Sequence, residues 1–171
     1  MKKIAVTGPE STAKSSLVQF LSAHFGIPFV AEYARTYLQA KPSGYSCSFD
    51  EITAIALEQI KLEEKLLENH QLIFCDTDVL VSKIWQEHVF GKSDPLVETA
   101  FQNNFYQLHL LCSPDIEWEP DPLRSNQYDR AILFQKYKKA LDAASKPYKI
   151  ISGQGNVRFS AAVAFVELFL K

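Results

Sequence analysis

The sequence predicts an α/β fold, a parallel five-stranded sheet sandwiched by helices, and three observations carry the prediction. Short apolar runs of strand length recur along the chain, segments with helical spacing separate them, and glycine or aspartate turns follow several of the runs. Strands separated by helices favour right-handed crossovers, which put helices on both faces of a parallel sheet.

The elements follow in order. Residues 4–6 form a first apolar strand that ends at Thr7-Gly8-Pro9, and residues 14–25 repeat Leu17, Val18, Phe20, Leu21 and Phe25 at helical spacing. Gly26-Ile27-Pro28 stops that helix. A second strand is expected over 29–31 and a helix over 32–40, broken by Pro42 and Gly44. After Ser48 and Phe49 a long amphipathic helix is expected over 50–70, its Ile and Leu residues interleaved with Glu and Lys. Residues 72–75 are a continuous apolar run, as in buried parallel strands, ending at Asp76-Thr77-Asp78. Strands at 106–112 and 148–152 complete the sheet, and a helix over 158–171 closes the chain.

Composition narrows the class. With 171 residues, 47% hydrophobic and 22% charged, the chain suits one soluble globular domain spanning 1–171, with no repeat or linker. A net charge of −2 and a pI near 6.1 give no cationic excess for a nucleic-acid backbone or an anionic membrane, so any nucleotide partner is expected to be small. No stretch approaches spanning length, and the apolar run after Lys2 and Lys3 is too short for a signal peptide; a cytoplasmic location is expected. Cys47, Cys75 and Cys112 lack disulfide or metal spacing and read as reduced apolar residues. Oligomeric state is left open.

Between the first strand and first helix lies Gly8-Pro9-Glu10-Ser11-Thr12-Ala13-Lys14-Ser15, the spacing of a Walker A loop with Ala13 at its second glycine. A helix start offers unpaired N–H groups and a positive dipole end to phosphate. Lys14 reaches the β and γ phosphates and the Ser15 hydroxyl suits Mg²⁺, so Gly8, Glu10, Ser11, Thr12, Ala13, Lys14, Ser15 and Ser16 form the expected ATP-binding set. A plain glycine turn capped by Ser11 or Thr12 accounts for the turn but not for Lys followed by Ser. If Ala13 needs a left-handed backbone, the alanine costs about 1–2 kcal/mol.

GPESTAKSS, followed by AEYARTYL and then LIFCDTD, resembles the P-loop kinase domain at the C-terminal end of NadR-type proteins, over nearly the whole chain. The stretch from Pro114 to Asp121, leading to Arg124 and Arg130, is similar to that family's lid pattern. The resemblance implies a P-loop NTPase fold of the nucleoside/nucleotide-kinase kind with a lid segment. It also implies Mg²⁺-dependent transfer of the ATP γ-phosphate to the 5′-hydroxyl of nicotinamide riboside, a step of NAD salvage. Adenylyltransferase and DNA-binding activities are not expected of these residues. Two positions depart from the family pattern, Ala13 for glycine and Ala31 where some relatives carry an aromatic residue.

Phosphoryl transfer needs carboxylates beside the hydroxyl and cations around the phosphate. Asp76 is expected in the Mg²⁺ shell with Ser15, and Asp78 or Glu32 beside the ribose; the choice of proton acceptor stays open, and Asp78 also reads as a helix cap. Lys14, Arg124 and Arg130 are the expected catalytic cations, the arginines on a mobile lid, with Arg35 a further substrate contact. A cationic pyridinium favours an aromatic face; Tyr33, Tyr37, Trp85 and Trp118 are available, and Tyr33 and Trp118 are assigned to the substrate site. The Gly153–Asn156 turn before Arg158 resembles an adenine-side loop, which adds Arg158 to the ATP set. The same motifs also suit a kinase for another nucleoside or small metabolite, or an ATP-binding regulatory module.

Overall fold

A computed structural model describes residues 1–42, 44–124 and 126–171. Its five strands are β1 (Lys2–Thr7), β2 (Phe29–Val30), β3 (Leu72–Asp76), β4 (Leu108–Cys112) and β5 (Tyr148–Ile151), all parallel and ordered β2-β3-β1-β4-β5. Seven helices connect and close them: α1 (Lys14–Phe25), α2 (Tyr33–Gln39), α3 (Phe49–Leu67), α4 (Val79–Phe90), α5 (Pro95–Asn103), α6 (Arg130–Ala143) and α7 (Asn156–Leu170).

The alternation of strand side chains sorts the helices into two layers. Ile4 and Val6 of β1, Phe74 of β3 and Leu108 and Leu110 of β4 face α1 and α7, packing on Leu17, Leu21, Ala162 and Val166. Ala5, Ile73, Cys75 and Leu111 face the other way, against Ala56 of α3, Leu80 and Ile84 of α4, Val97 of α5 and Leu133 of α6. The three cysteines are free and buried, and burial pushes the Cys112 thiol up to about 11, which keeps it unreactive.

The element boundaries differ from expectation where local chemistry intervenes. Helix α3 starts one residue early because Ser48 caps it: the Ser48 hydroxyl accepts from Glu51 N–H while the Glu51 carboxylate accepts from Ser48 N–H. Strand β4 begins at Leu108 rather than Tyr106, whose ring turns inward so that its hydroxyl donates to the buried Glu63 carboxylate, 2.9 Å away. Glu63 in turn pairs with Lys3 at 3.0 Å. Strand β2 stops at Val30, and α7 begins two residues earlier than expected. Among the described residues no helix is long and apolar enough to cross a membrane.

Candidate active site

Central β1 lies between β3 and β4, so the loops leaving its C-terminal end and that of β3 flank a crevice, where open parallel sheets bind ligands. The loop after β1 starts at Gly8, with φ +130°; a Cβ there would lie 2.8 Å from the Cys112 carbonyl, so only glycine lets the chain cross β4. Ala13 then adopts the left-handed conformation, φ 58° and ψ 30°, directly before α1, and Ser11 is also left-handed. The position does require what glycine supplies, and alanine carries the cost. Among the described residues no side chain caps α1, which leaves its first N–H groups open to a ligand at the crevice. The Lys14 ammonium donates to the Pro9 carbonyl at 2.7 Å, and the Thr12 hydroxyl to the same oxygen at 2.8 Å.

Arg158 supports this loop from behind. It is buried, and its guanidinium donates to the carbonyls of Thr12 (3.1 Å), Gly153 (2.9 Å) and Ser113 (2.9 Å) and pairs with Asp115. The expected ATP contact is therefore corrected: Arg158 has its donors committed to backbone and clamps the phosphate loop to the ends of β4 and β5.

The carboxylates separate into two groups. Asp76, at the end of β3, is buried, and its Oδ1 has no partner among the described residues. Burial raises its pKa, against the lowering effect of Ser15, Lys14 and Arg35. Glu32 follows β2, half-buried, lining the crevice with Lys14 and Arg35. Burial raises its pKa too, opposed by Lys14 and reinforced by Asp76. Asp78 lines the crevice where a ribose contact is expected, but its side chain is buried, accepting from the Thr7 hydroxyl at 2.8 Å, with His109 Nε2 3.3 Å from its other oxygen but outside hydrogen-bond geometry. It heads α4 without a side-chain cap bond and acts as a buttress under the Asp76-Thr77-Asp78 turn, whose Thr77 is left-handed.

The lid segment lies against the loop. Asn126 N–H donates to Glu10 at 3.0 Å, Glu119 N–H to the Ser11 hydroxyl at 2.7 Å, and Asp121 pairs with Arg35 at 2.7 Å. Arg124 lines the crevice, within 3.4 Å of the Ser11 hydroxyl and donating to the Glu119 carbonyl at 2.7 Å. Arg130 does not line it. Its guanidinium donates to the carbonyls of Ser11 and Ile116 and stacks 5.7 Å from the Trp118 ring, so both Arg130 and Trp118 hold the lid base and neither faces the expected ligands. Tyr33 likewise packs among Cys47, Ile52 and Ile55 outside the crevice.

Beyond the phosphate loop the crevice, of about 440 Å³, runs on between α2, α3, α4 and α6, where Trp85, Ser82, His88, Gln59, Tyr45 and Tyr137 line it. Trp85 is therefore the tryptophan of the cleft. Gln59 was not singled out in the sequence, although a glutamine in the apolar stripe of Ile52, Ile55 and Ala56 was a readable signal. Ser15 and Asp76 fit a Mg²⁺ shell, given the hydroxyl, the carboxylate and its unpartnered buried oxygen.

A phosphate loop feeding the helix after the central strand, a carboxylate ending the neighbouring strand and a lid against the loop define a P-loop phosphotransferase with a kinase-like fold. The chain belongs to the AAA_28 family, described as an AAA domain, whose model matches residues 3–158. It is similar to the trifunctional NAD biosynthesis/regulator protein NadR of Escherichia coli, 27% identical over 131 residues, which is 73% of this chain and 31% of that protein. The crystal structure of NadR in complex with NR has a TM-score of 0.86 at 20% identity, over 98% of this chain and 51% of that one. Deoxyadenosine kinase from M. mycoides has a TM-score of 0.65 at 15% identity, over 99% of this chain and all of that one. The chain thus spans about a third of the curated relative's length and about half of the NadR structure; the structural likenesses show the fold, and the NadR resemblance read from the motifs is borne out.

Proposed function

We propose that residues 1–171 act as one ATP-dependent kinase unit that phosphorylates the ribose 5′-hydroxyl of nicotinamide riboside, giving nicotinamide mononucleotide. The observation that carries this reading is that Glu32, Lys14 and Arg124 line one crevice that continues past the phosphate loop to Trp85. One end suits the triphosphate and the other a riboside with a flat cationic ring.

In this reading the N–H groups at the start of α1, the loop from Gly8 to Ser16 and the Lys14 ammonium hold the phosphates. Ser15 and Asp76 would hold Mg²⁺, which neutralises charge on the β and γ phosphates. Glu32 accepts the 5′-hydroxyl proton as that oxygen bonds to the γ-phosphorus; the bond from phosphorus to the bridging oxygen breaks, and ADP leaves with its electron pair. Arg124 balances charge on the transferred group, and Arg35 orients Glu32 and the acceptor. A raised Glu32 pKa suits a proton acceptor working nearer neutral pH. Small soluble ligands, with no nucleic-acid partner, and a cytoplasmic setting complete the proposal.

The test is incubation of the purified protein with Mg²⁺-ATP and, separately, nicotinamide riboside and a panel of ordinary nucleosides, following ADP and phosphorylated product. Product with nicotinamide riboside alone supports the reading. Product with another nucleoside keeps the chemistry and replaces the substrate, and ATP binding without transfer to any acceptor overturns the kinase in favour of a nucleotide-binding regulator.

A further inference from the structure

Gln59 projects from α3 into the acceptor end of the crevice and is 4% exposed. Its Oε1 accepts from Tyr33 N–H at 2.8 Å, at the start of α2 beside Glu32. Because a backbone N–H needs an oxygen acceptor, this contact fixes which way the amide faces and turns the NH₂ group away from α2. That nitrogen has no hydrogen-bond partner among the described residues. Buried polar groups are nearly always partnered, so an exception in a ligand cleft calls for a partner that the free chain does not supply. An apolar residue would fit the surrounding stripe of Ile52, Ile55 and Ala56 with no donor left over. Trp85 and Ile84 of α4 line the same end with flat and apolar surface, so the unpaired donor is a polar feature set among packing groups.

We propose that Gln59 Nε2 is a specificity determinant that donates to a carbonyl oxygen carried by the acceptor's ring, so that the site selects ribosides whose base bears a carbonyl or carboxamide. The inference rests on the riboside-kinase reading. It extends that reading from the ribose hydroxyl to the ring, and it links ring recognition to Glu32, since the amide that meets the ring also holds the backbone next to that carboxylate. A site built around a buried donor rejects an analogue lacking the acceptor, because the donor is then left unpaired.

The experiment compares nicotinamide riboside with the pyridinium riboside lacking the carboxamide, in wild type, Gln59→Glu and Gln59→Leu. Both ligands carry the same ring charge, so the ratio of their kcat/KM values cancels the new charge of Gln59→Glu and any general loss of active protein. Gln59→Glu keeps an oxygen for Tyr33 N–H and removes the donor; Gln59→Leu removes both. The expected result is a wild-type preference of about tenfold or more for the carboxamide, falling towards unity in both variants. A preference that persists in both variants, or is absent from wild type, overturns the inference while leaving the kinase intact. If wild type instead phosphorylates uridine or inosine, with turnover that depends on Gln59, the inference stands and the nicotinamide riboside reading falls. If calorimetry with an ATP analogue detects binding of none of these ribosides or nucleosides, both are overturned.

Discussion

Glu32 carries opposing demands in one side chain. Desolvation raises its pKa, so the folded protein favours the protonated form relative to the unfolded chain. The sign follows: its stabilising contribution is present in acid and is lost as pH rises from the ordinary carboxyl value through the raised one, leaving an ionised group that destabilises the fold at neutral pH. Glu32→Gln is expected to raise the melting temperature at pH 7 while lowering kcat by about 100-fold or more. The acid limb of the kcat/KM profile, set above the usual glutamate range, should vanish in the same variant. A melting temperature that falls together with kcat would remove Glu32 from the proton-accepting role. Ala13 is a second residue whose conformation has a measurable cost. Its left-handed backbone costs about 1–2 kcal/mol, and glycine would recover part of that while gaining entropy in the unfolded chain. Ala13→Gly should therefore stabilise the protein by about 0.5–1 kcal/mol in denaturant unfolding, and an unchanged or lower midpoint would mean that the loop relaxes around alanine.

At the scale of elements, one tie holds the phosphate loop and another holds the lid, and they differ in kind. Arg158 of α7 joins it to the ends of β4 and β5 through buried backbone acceptors, so Arg158→Met leaves three carbonyls short of a charged donor. A loss of about 3 kcal/mol or more is expected, read as a lowered denaturant midpoint. The Arg35–Asp121 pair, which latches the lid onto α2, is part-exposed and adds little to global stability. Its effect belongs to the lid: Asp121→Asn should leave the unfolding midpoint near wild type and raise the KM for ATP several-fold, more at low salt than at high salt. Equal stability loss in the two variants would erase this distinction. The sequence displayed the phosphate loop, Asp76 and the lid, because each is tied to a strand end or to a motif of fixed spacing. It did not reveal which arginines point inward. Arg124, Arg130 and Arg158 are chemically alike, and only packing assigns one to the crevice, one to Trp118 and one to the back of the loop.

For the whole molecule, the five strands were legible because buried parallel strands are continuous apolar runs, and the motifs between them fell at the same end of the sheet. The acceptor half of the crevice was far less legible. It is assembled from α2, α3, α4 and α6, whose inward residues Gln59, Trp85 and Tyr137 share no sequence spacing and meet only once the helices pack on the sheet. Such a cleft couples binding to stability, because a ligand that bridges the phosphate loop, the lid and those helices binds the folded state alone. Saturation with Mg²⁺-ATP at about 100 times its dissociation constant should add about 2.7 kcal/mol, a melting shift of roughly 5–10 °C for a chain of this size. Among the described residues Lys14 makes one hydrogen bond in the free protein, to the Pro9 carbonyl, so Lys14→Ala should melt near wild type without nucleotide and lose most of the shift with it. A Lys14→Ala protein that kept the full shift would place the triphosphate somewhere other than the loop after β1.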